Sequence, residues 1–159
     1  MHKRYRQRID ASPEIVFPLL CPVREVEWLD GWEYTMIYSV SGLIEKGAVF
    51  STVSAGEEST VWIVTRHDAE ERHVEFTRFT PRVKICVLTI GVEASGDGRS
   101  HVDVSYTYTS IGRQGNRFLG SWSDESFHDA MTFWERSMNH FLRTGSRLRR
   151  LPIARTEET

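Results

Sequence analysis

FHDAMTFWERSMNHFL, residues 127–142, is the stretch whose reading decides the fold. Placed at ~100° per residue, Phe127, Ala130, Met131, Trp134, Met138, Phe141 and Leu142 gather into one stripe about 120° wide. Glu125, Asp129, Arg136, Asn139, His140 and Arg143 fall on the other side. This is a long amphipathic helix. Ser121 or Ser123, followed by Asp124 and Glu125, supplies its N-terminal signal, and Gly145 supplies its stop. A single helix with an aromatic and Met-rich face needs a curved sheet to cover it, and that arrangement often leaves a cavity between the two.

Upstream of this helix the period changes from 3.6 to two. Six strands are predicted, over 32–40, 48–54, 60–67, 73–80, 84–93 and 101–111. Ser41-Gly42, Ala55-Gly56-Glu57, residues 68–72, Pro81-Arg82 and residues 95–98 are short connections of hairpin length. None is long enough to hide a crossover helix, so the sheet is expected to be antiparallel. Residues 111–120 contain three glycines and read as a loop, with room for one helical turn.

At the other end, Tyr5–Ile9 reads as a first strand. Ser12-Pro13-Glu14 then opens a short helix, with Ser as N-cap and Pro at its first position. Pro18 limits that helix unless it falls in the first turn, and residues 22–29 permit a second short helix or an irregular turn.

Bulk properties exclude several classes. At 159 residues one domain is expected, over 1–145, with a basic tail over 146–159 that is expected to fray. A net charge of -2 gives no reason to expect a nucleic-acid partner, and the tail arginines Arg147, Arg149, Arg150 and Arg155 lack interleaved aromatics. No apolar run approaches ~20 residues, so no transmembrane segment is expected. Cys21 and Cys86 form no CxxC pair and read as reduced core thiols; a cytoplasmic location is the expectation.

The order is strand, two short helices, six strands, one long helix: an α+β fold. With Ile9-Asp10-Ala11-Ser12-Pro13-Glu14 running from strand into helix, Trp28-Leu29-Asp30-Gly31-Trp32 before the second strand, and the terminal helix, the chain resembles the helix-grip superfamily. That superfamily includes START-like lipid-transfer domains, polyketide cyclases and aromatases, and plant ligand-binding allergens. The resemblance covers residues 4–145. It implies a seven-stranded antiparallel sheet gripping the C-terminal helix, with an apolar cavity between them. It does not imply one activity, because a fold hosts many.

Candidate cavity residues follow from strand alternation and the helix stripe. Val74, Phe76 and Arg78 share one face, which would bring the Arg78 guanidinium inward near the Pro81 hairpin; a snorkelling side chain is the alternative. Val102, Val104, Tyr106 and Tyr108 share another, and the tyrosine hydroxyls then need partners. Trp62 is assigned inward because it has the larger surface to bury, whereas both faces of 84–93 are apolar and its facing is ambiguous. Phe127, Met131, Trp134 and Met138 are the helix's contribution, filling a core or lining a cavity. Trp28 lies, by the resemblance, near the cavity entrance; it could equally close the core with Trp32.

Catalytic residues are unknown at this level. The six histidines show no metal-ligand spacing, and no nucleophile elbow, phosphate-binding loop or dinucleotide fingerprint occurs. No inward carboxylate or histidine is evident as a base. No metal and no cofactor are expected. Two readings stay open: binding or transport of a hydrophobic small molecule (lipid, polyketide or isoprenoid-like), and a cyclase- or dehydratase-like enzyme using the same cavity. A homodimer through Phe133 or Trp122, which lie off the helix stripe, is a third.

Overall fold

A computed structural model describes residues 1–53 and 59–150. Seven strands form one antiparallel sheet. They are β1 (His2–Ile9), β2 (Thr35–Tyr38), β3 (Val49–Thr52), β4 (Thr60–Asp68), β5 (His73–Thr80), β6 (Lys84–Gly96) and β7 (Arg99–Ser110), in the spatial order β1-β7-β6-β5-β4-β3-β2. The helices are α1 (Pro13–Leu19), α2 (Pro22–Trp28), α3 (Gly112–Ser121) and α4 (Asp124–Thr144).

Topology explains where the short helices go. β1 and β2 are consecutive in sequence but lie at opposite edges of the sheet. α1 and α2 carry the chain between those edges, which brings α2 alongside the sheet's inner face and against α4. β6 and β7 are the longest strands and form the spine, paired from Lys84↔Ser110 to Gly96↔Arg99. Their hairpin turns through Gly96, Asp97 and Gly98, all at positive φ, which suits the two glycines.

Alternation fixes which side chains face α4. Val102, Val104, Tyr106 and Tyr108 of β7 are buried, as are Cys86, Leu88, Ile90 and Val92 of β6. The facing of β6 is thereby settled, with Ile85 turned to the exposed side. On β4, Trp62 and Val64 face in and Ile63 faces out.

α4 is pinned along β1 by polar contacts. Lys3 Nζ meets Asp124 at 2.5 Å, Gln7 Nε2 donates to the Met131 carbonyl at 3.2 Å, and Asn139 bonds the backbone of Arg8 and Asp10 at 2.8 Å. Ser123 caps the helix through its side chain to the Ser126 N–H, and Gly145 ends it in the left-handed region at φ 69°. With one flank fixed to β1, the free space lies on the other flank, toward α2 and β4.

Two expectations need correction. Residues 111–120 are not a loop: 112–121 form the ten-residue helix α3. Gly115 is required there because a Cβ at that position would lie 2.0 Å from the Val83 carbonyl oxygen. The glycine that reads as a breaker permits close helix–strand approach. The second strand is also shorter than the expected 32–40, because the Trp32 indole N–H is engaged by the Pro22 carbonyl at 3.0 Å and strand pairing starts only at Thr35. The expected connection Ala55-Gly56-Glu57 lies outside the described residues.

Candidate functional site

A cleft of about 180 Å³ opens between α2, α4 and the inner sheet face. Its floor is Trp62, Phe76, Leu88, Ile90 and Tyr106; its α4 wall is Ala130, Met131, Phe133 and Trp134; its α2 wall is Pro22, Glu25 and Leu29, with Trp32 beyond. Arg150, from the segment after α4, lies at the same opening.

The aromatic floor is preorganised by ring contacts. Phe50 stacks on Trp62 at 5.2 Å, and Phe76 meets Trp62 edge-on at 5.9 Å. Trp32 meets Trp62 edge-on at 5.8 Å from the α2 side. Trp134 stacks on Trp28 at 6.0 Å, and Trp28, fully buried, donates its indole N–H to the Leu19 carbonyl at 2.9 Å.

Of the residues expected from the sequence, Trp62, Phe76, Tyr106, Met131 and Trp134 meet at this cleft. The others stand around it. Trp28 backs Trp134 and Met138 is packed in the core. Phe127 packs edge-on against Tyr106 at 5.7 Å. Tyr108 lies against Tyr106 and under Phe118 of α3. Arg78 is on the inner face, in a cross-strand row running Trp62–Arg78–Cys86–Tyr108. Its guanidinium carbon sits 4.1 Å from the Trp62 ring centroid, and its Nε is buried without a hydrogen-bond partner.

One cleft residue was missed by sequence reasoning and changes the chemistry. Glu25, on α2, is 7% exposed, and no described residue donates a hydrogen bond to its carboxyl group. Burial pushes that carboxyl up to about 8, against an opposing pull from the Arg78 charge. Burial thus shifts it toward the protonated acid near neutral pH. Once residues 22–28 are seen as a helix, Pro22, Glu25 and Trp28 at i, i+3 and i+6 share one face, and all three are buried.

The surrounding groups share this low-dielectric setting. Desolvation raises the Tyr106 hydroxyl to about 12 and the Cys86 thiol to about 11, and raises Tyr108 as well, so all three stay neutral at physiological pH. Cys21 and Cys86 are both buried and free. Trp134 Nε1 is a second buried donor without a partner. Among the described residues no cluster of three or more His, Cys, Asp or Glu is placed to hold a metal, and no helix is long and apolar enough to cross a membrane.

Phe133 and Trp122 make ring contacts within the chain, although the buried Trp122 Nε1 has no hydrogen-bond partner among the described residues. The Arg150 guanidinium lies over the Phe133 ring at 4.2 Å, and Trp122 stacks on Phe118 at 6.1 Å.

No protein-family model matches the sequence, and no curated protein does. Solved structures do match. Norcoclaurine synthase from Thalictrum flavum superposes with a TM-score of 0.65 at 14% identity, over 91% of this chain and 87% of that one. DynU16, from the dynemicin biosynthetic locus, gives 0.63 at 14% identity over 91% of this chain. The di-domain aromatase/cyclase BexL, from the BE-7585A biosynthetic pathway, gives 0.64 at 16% over 90%. This chain spans about half of each of the last two, 48% and 46% of their lengths. At these identities the likeness is one of fold: the chain shares the helix-grip fold with norcoclaurine synthase, DynU16 and BexL.

Proposed function

We propose that the cleft binds a compact, hydrophobic small molecule that carries one oxygen function, a carbonyl or phenol, directed at Glu25. The carrying observation is the Glu25 carboxyl, buried on the wall of a largely apolar cleft without a hydrogen-bond partner among the described residues, where burial favours its protonated form. Glu25 lines the cleft, so a ligand oxygen there can accept its carboxyl proton, in a hydrogen bond worth about 0.5–1.5 kcal/mol net. The unpartnered Trp134 Nε1 is a second donor, on the α4 wall of the same cleft.

Volume narrows the ligand. A cavity of ~150 Å³ accommodates benzene, so about 180 Å³ holds one ring or two fused rings within the cleft itself. Norcoclaurine synthase, of the same fold, has been solved with dopamine and hydroxybenzaldehyde, both single-ring compounds. Trp62, Phe76 and Trp134 offer ring faces and edges to such a molecule.

A second reading is favoured by the same residue. A carboxyl group within about a unit of neutrality is poised for general acid–base work. Protonated Glu25 could give its proton to a ligand carbonyl oxygen while an adjacent C–H bond loses its proton to water. The carboxylate so formed regains a proton from solvent, and the net change is ketone to enol. That step belongs to cyclisation and dehydration chemistry.

The test is a titration of 2-naphthaldehyde and of naphthalene against the native protein, Glu25→Gln and Glu25→Leu, read by tryptophan quenching. Glu25→Leu is expected to weaken the aldehyde about ten-fold, at ~1.4 kcal/mol per decade, and to spare the hydrocarbon. No binding by the native protein, or equal loss for both probes, contradicts the reading. Solvent deuterium uptake by bound 2-tetralone, lost in Glu25→Gln, would favour catalysis over binding alone.

A further inference from the structure

The chain does not leave the domain where α4 ends. After Gly145 it turns back, and two successive residues return to the end of α2. Arg149 Nη1 lies 2.8 Å from Asp30 Oδ1, and the backbone N–H of Arg150 donates to Asp30 Oδ2 at 3.1 Å. Both carboxylate oxygens of one aspartate are thus engaged from a segment about 120 residues away in sequence. The Arg150 side chain then reaches over the Phe133 ring of α4 at 4.2 Å and lines the cleft opening beside Leu29 and Trp32.

We propose that residues 146–150 form a strap across the cleft mouth, buckled to Asp30, and that access to the cleft requires the buckle to open. The inference rests on the cleft being the ligand site, as argued above. Three observations support it. The strap spans the gap between the two elements that frame the opening, Asp30 after α2 and Phe133 on α4. Its attachment to Asp30 is ionic and lies at the surface, so that buckle opens into water at little cost, leaving only the contacts of Leu148 and Arg150 to be released. And the Asp30 side chain is only 18% exposed while Arg149 is 77% exposed, which gives an anchored post and a detachable latch. The hydrogen bonds from the Arg150 backbone and the Arg149 side chain also hold the Asp30 carboxyl below the usual range.

The test needs no ligand, so its outcome is separate from that of the binding titration. Ala130 lines the cleft on α4 beside Arg150. In Ala130→Cys the new thiol reports access beneath the strap, since the native Cys21 and Cys86 are buried. Its reaction with iodoacetamide, a small neutral reagent, is timed in three backgrounds: Asp30 intact, Asp30→Asn and Arg149→Met. The strap predicts slow labelling in the parent, roughly three- to ten-fold faster labelling in Asp30→Asn, and an intermediate rate in Arg149→Met. Raising NaCl from 0.1 to 1 M should accelerate the parent and leave Asp30→Asn unchanged. Arg149 is on the surface, so its variant tests the buckle even if Asp30→Asn perturbs folding. Equal rates in all three backgrounds, or parent labelling as fast as that of an unstructured cysteine peptide, would overturn the proposal.

Discussion

At the scale of single residues, Glu25 distinguishes this cleft from a merely filled core. Folding raises its carboxyl from an ordinary 4.5 to about 8, chiefly through burial. The folded state therefore favours the protonated form. Below pH 4.5 both folded and unfolded chains carry the proton, and Glu25 adds no pH dependence. Between 4.5 and 8 the unfolded chain releases it first, so stability falls as pH rises; above 8 both states are ionised and the curve flattens. The accumulated loss is on the order of a few kcal/mol at ~1.4 kcal/mol per unit. Urea denaturation at pH 5 and pH 8 checks this. Glu25→Gln should be more resistant relative to the native protein at pH 8 than at pH 5, and parallel behaviour of the two proteins would sink the assignment. Sequence reading passed over this residue because Arg24, Glu25 and Glu27 look like an exposed charged face. Only the α2 register, which places Glu25 between Pro22 and Trp28, turns it inward. Arg78 was legible on the inner face, from its alternation with Val74 and Phe76, but its stacking on Trp62 was not, since that depends on cross-strand register.

At the scale of elements, the helix α4 and the strands β4 to β7 were legible because each has one strong period and one buried face. What failed was α3. Gly112, Gly115 and Gly120 lower helix propensity, and no local rule says that one of them sits against a strand end. Two of these glycines make opposite predictions. Gly115→Ala should destabilise by ~1–3 kcal/mol, because its Cβ would collide with the Val83 carbonyl oxygen and the expected helix-propensity gain is smaller than the overpacking. Gly120→Ala meets nothing within 4 Å and should be neutral or stabilising by a few tenths of a kcal/mol. Denaturation midpoints of the two variants read the difference directly. Equal effects would mean that α3 does not press on Val83 as described. The β2 boundary was misread for a related reason: the Trp32 indole bonds to Pro22, a contact between elements that strand alternation does not encode.

At the scale of the molecule, the sheet and α4 meet along β1 and part company toward α2, so the fold itself leaves space on one flank. Half of the expected cavity residues converge there, and the rest form the packing that holds the aromatic floor in place. A second apolar cavity of about 260 Å³ lies away from it, between the α1–α2 corner and the 43–44 loop, with Phe17 and His67 in its lining. It offers a competing address for any hydrophobic ligand. The most direct measurement is therefore a crystal structure with 2-naphthaldehyde bound. The account predicts ring density between Trp62, Phe76, Tyr106 and Trp134, with the aldehyde oxygen within hydrogen-bond distance, ~2.5–3.0 Å, of the Glu25 carboxyl. Density in the Phe17–His67 cavity, or a ring in the cleft with its oxygen turned away from Glu25, would contradict it.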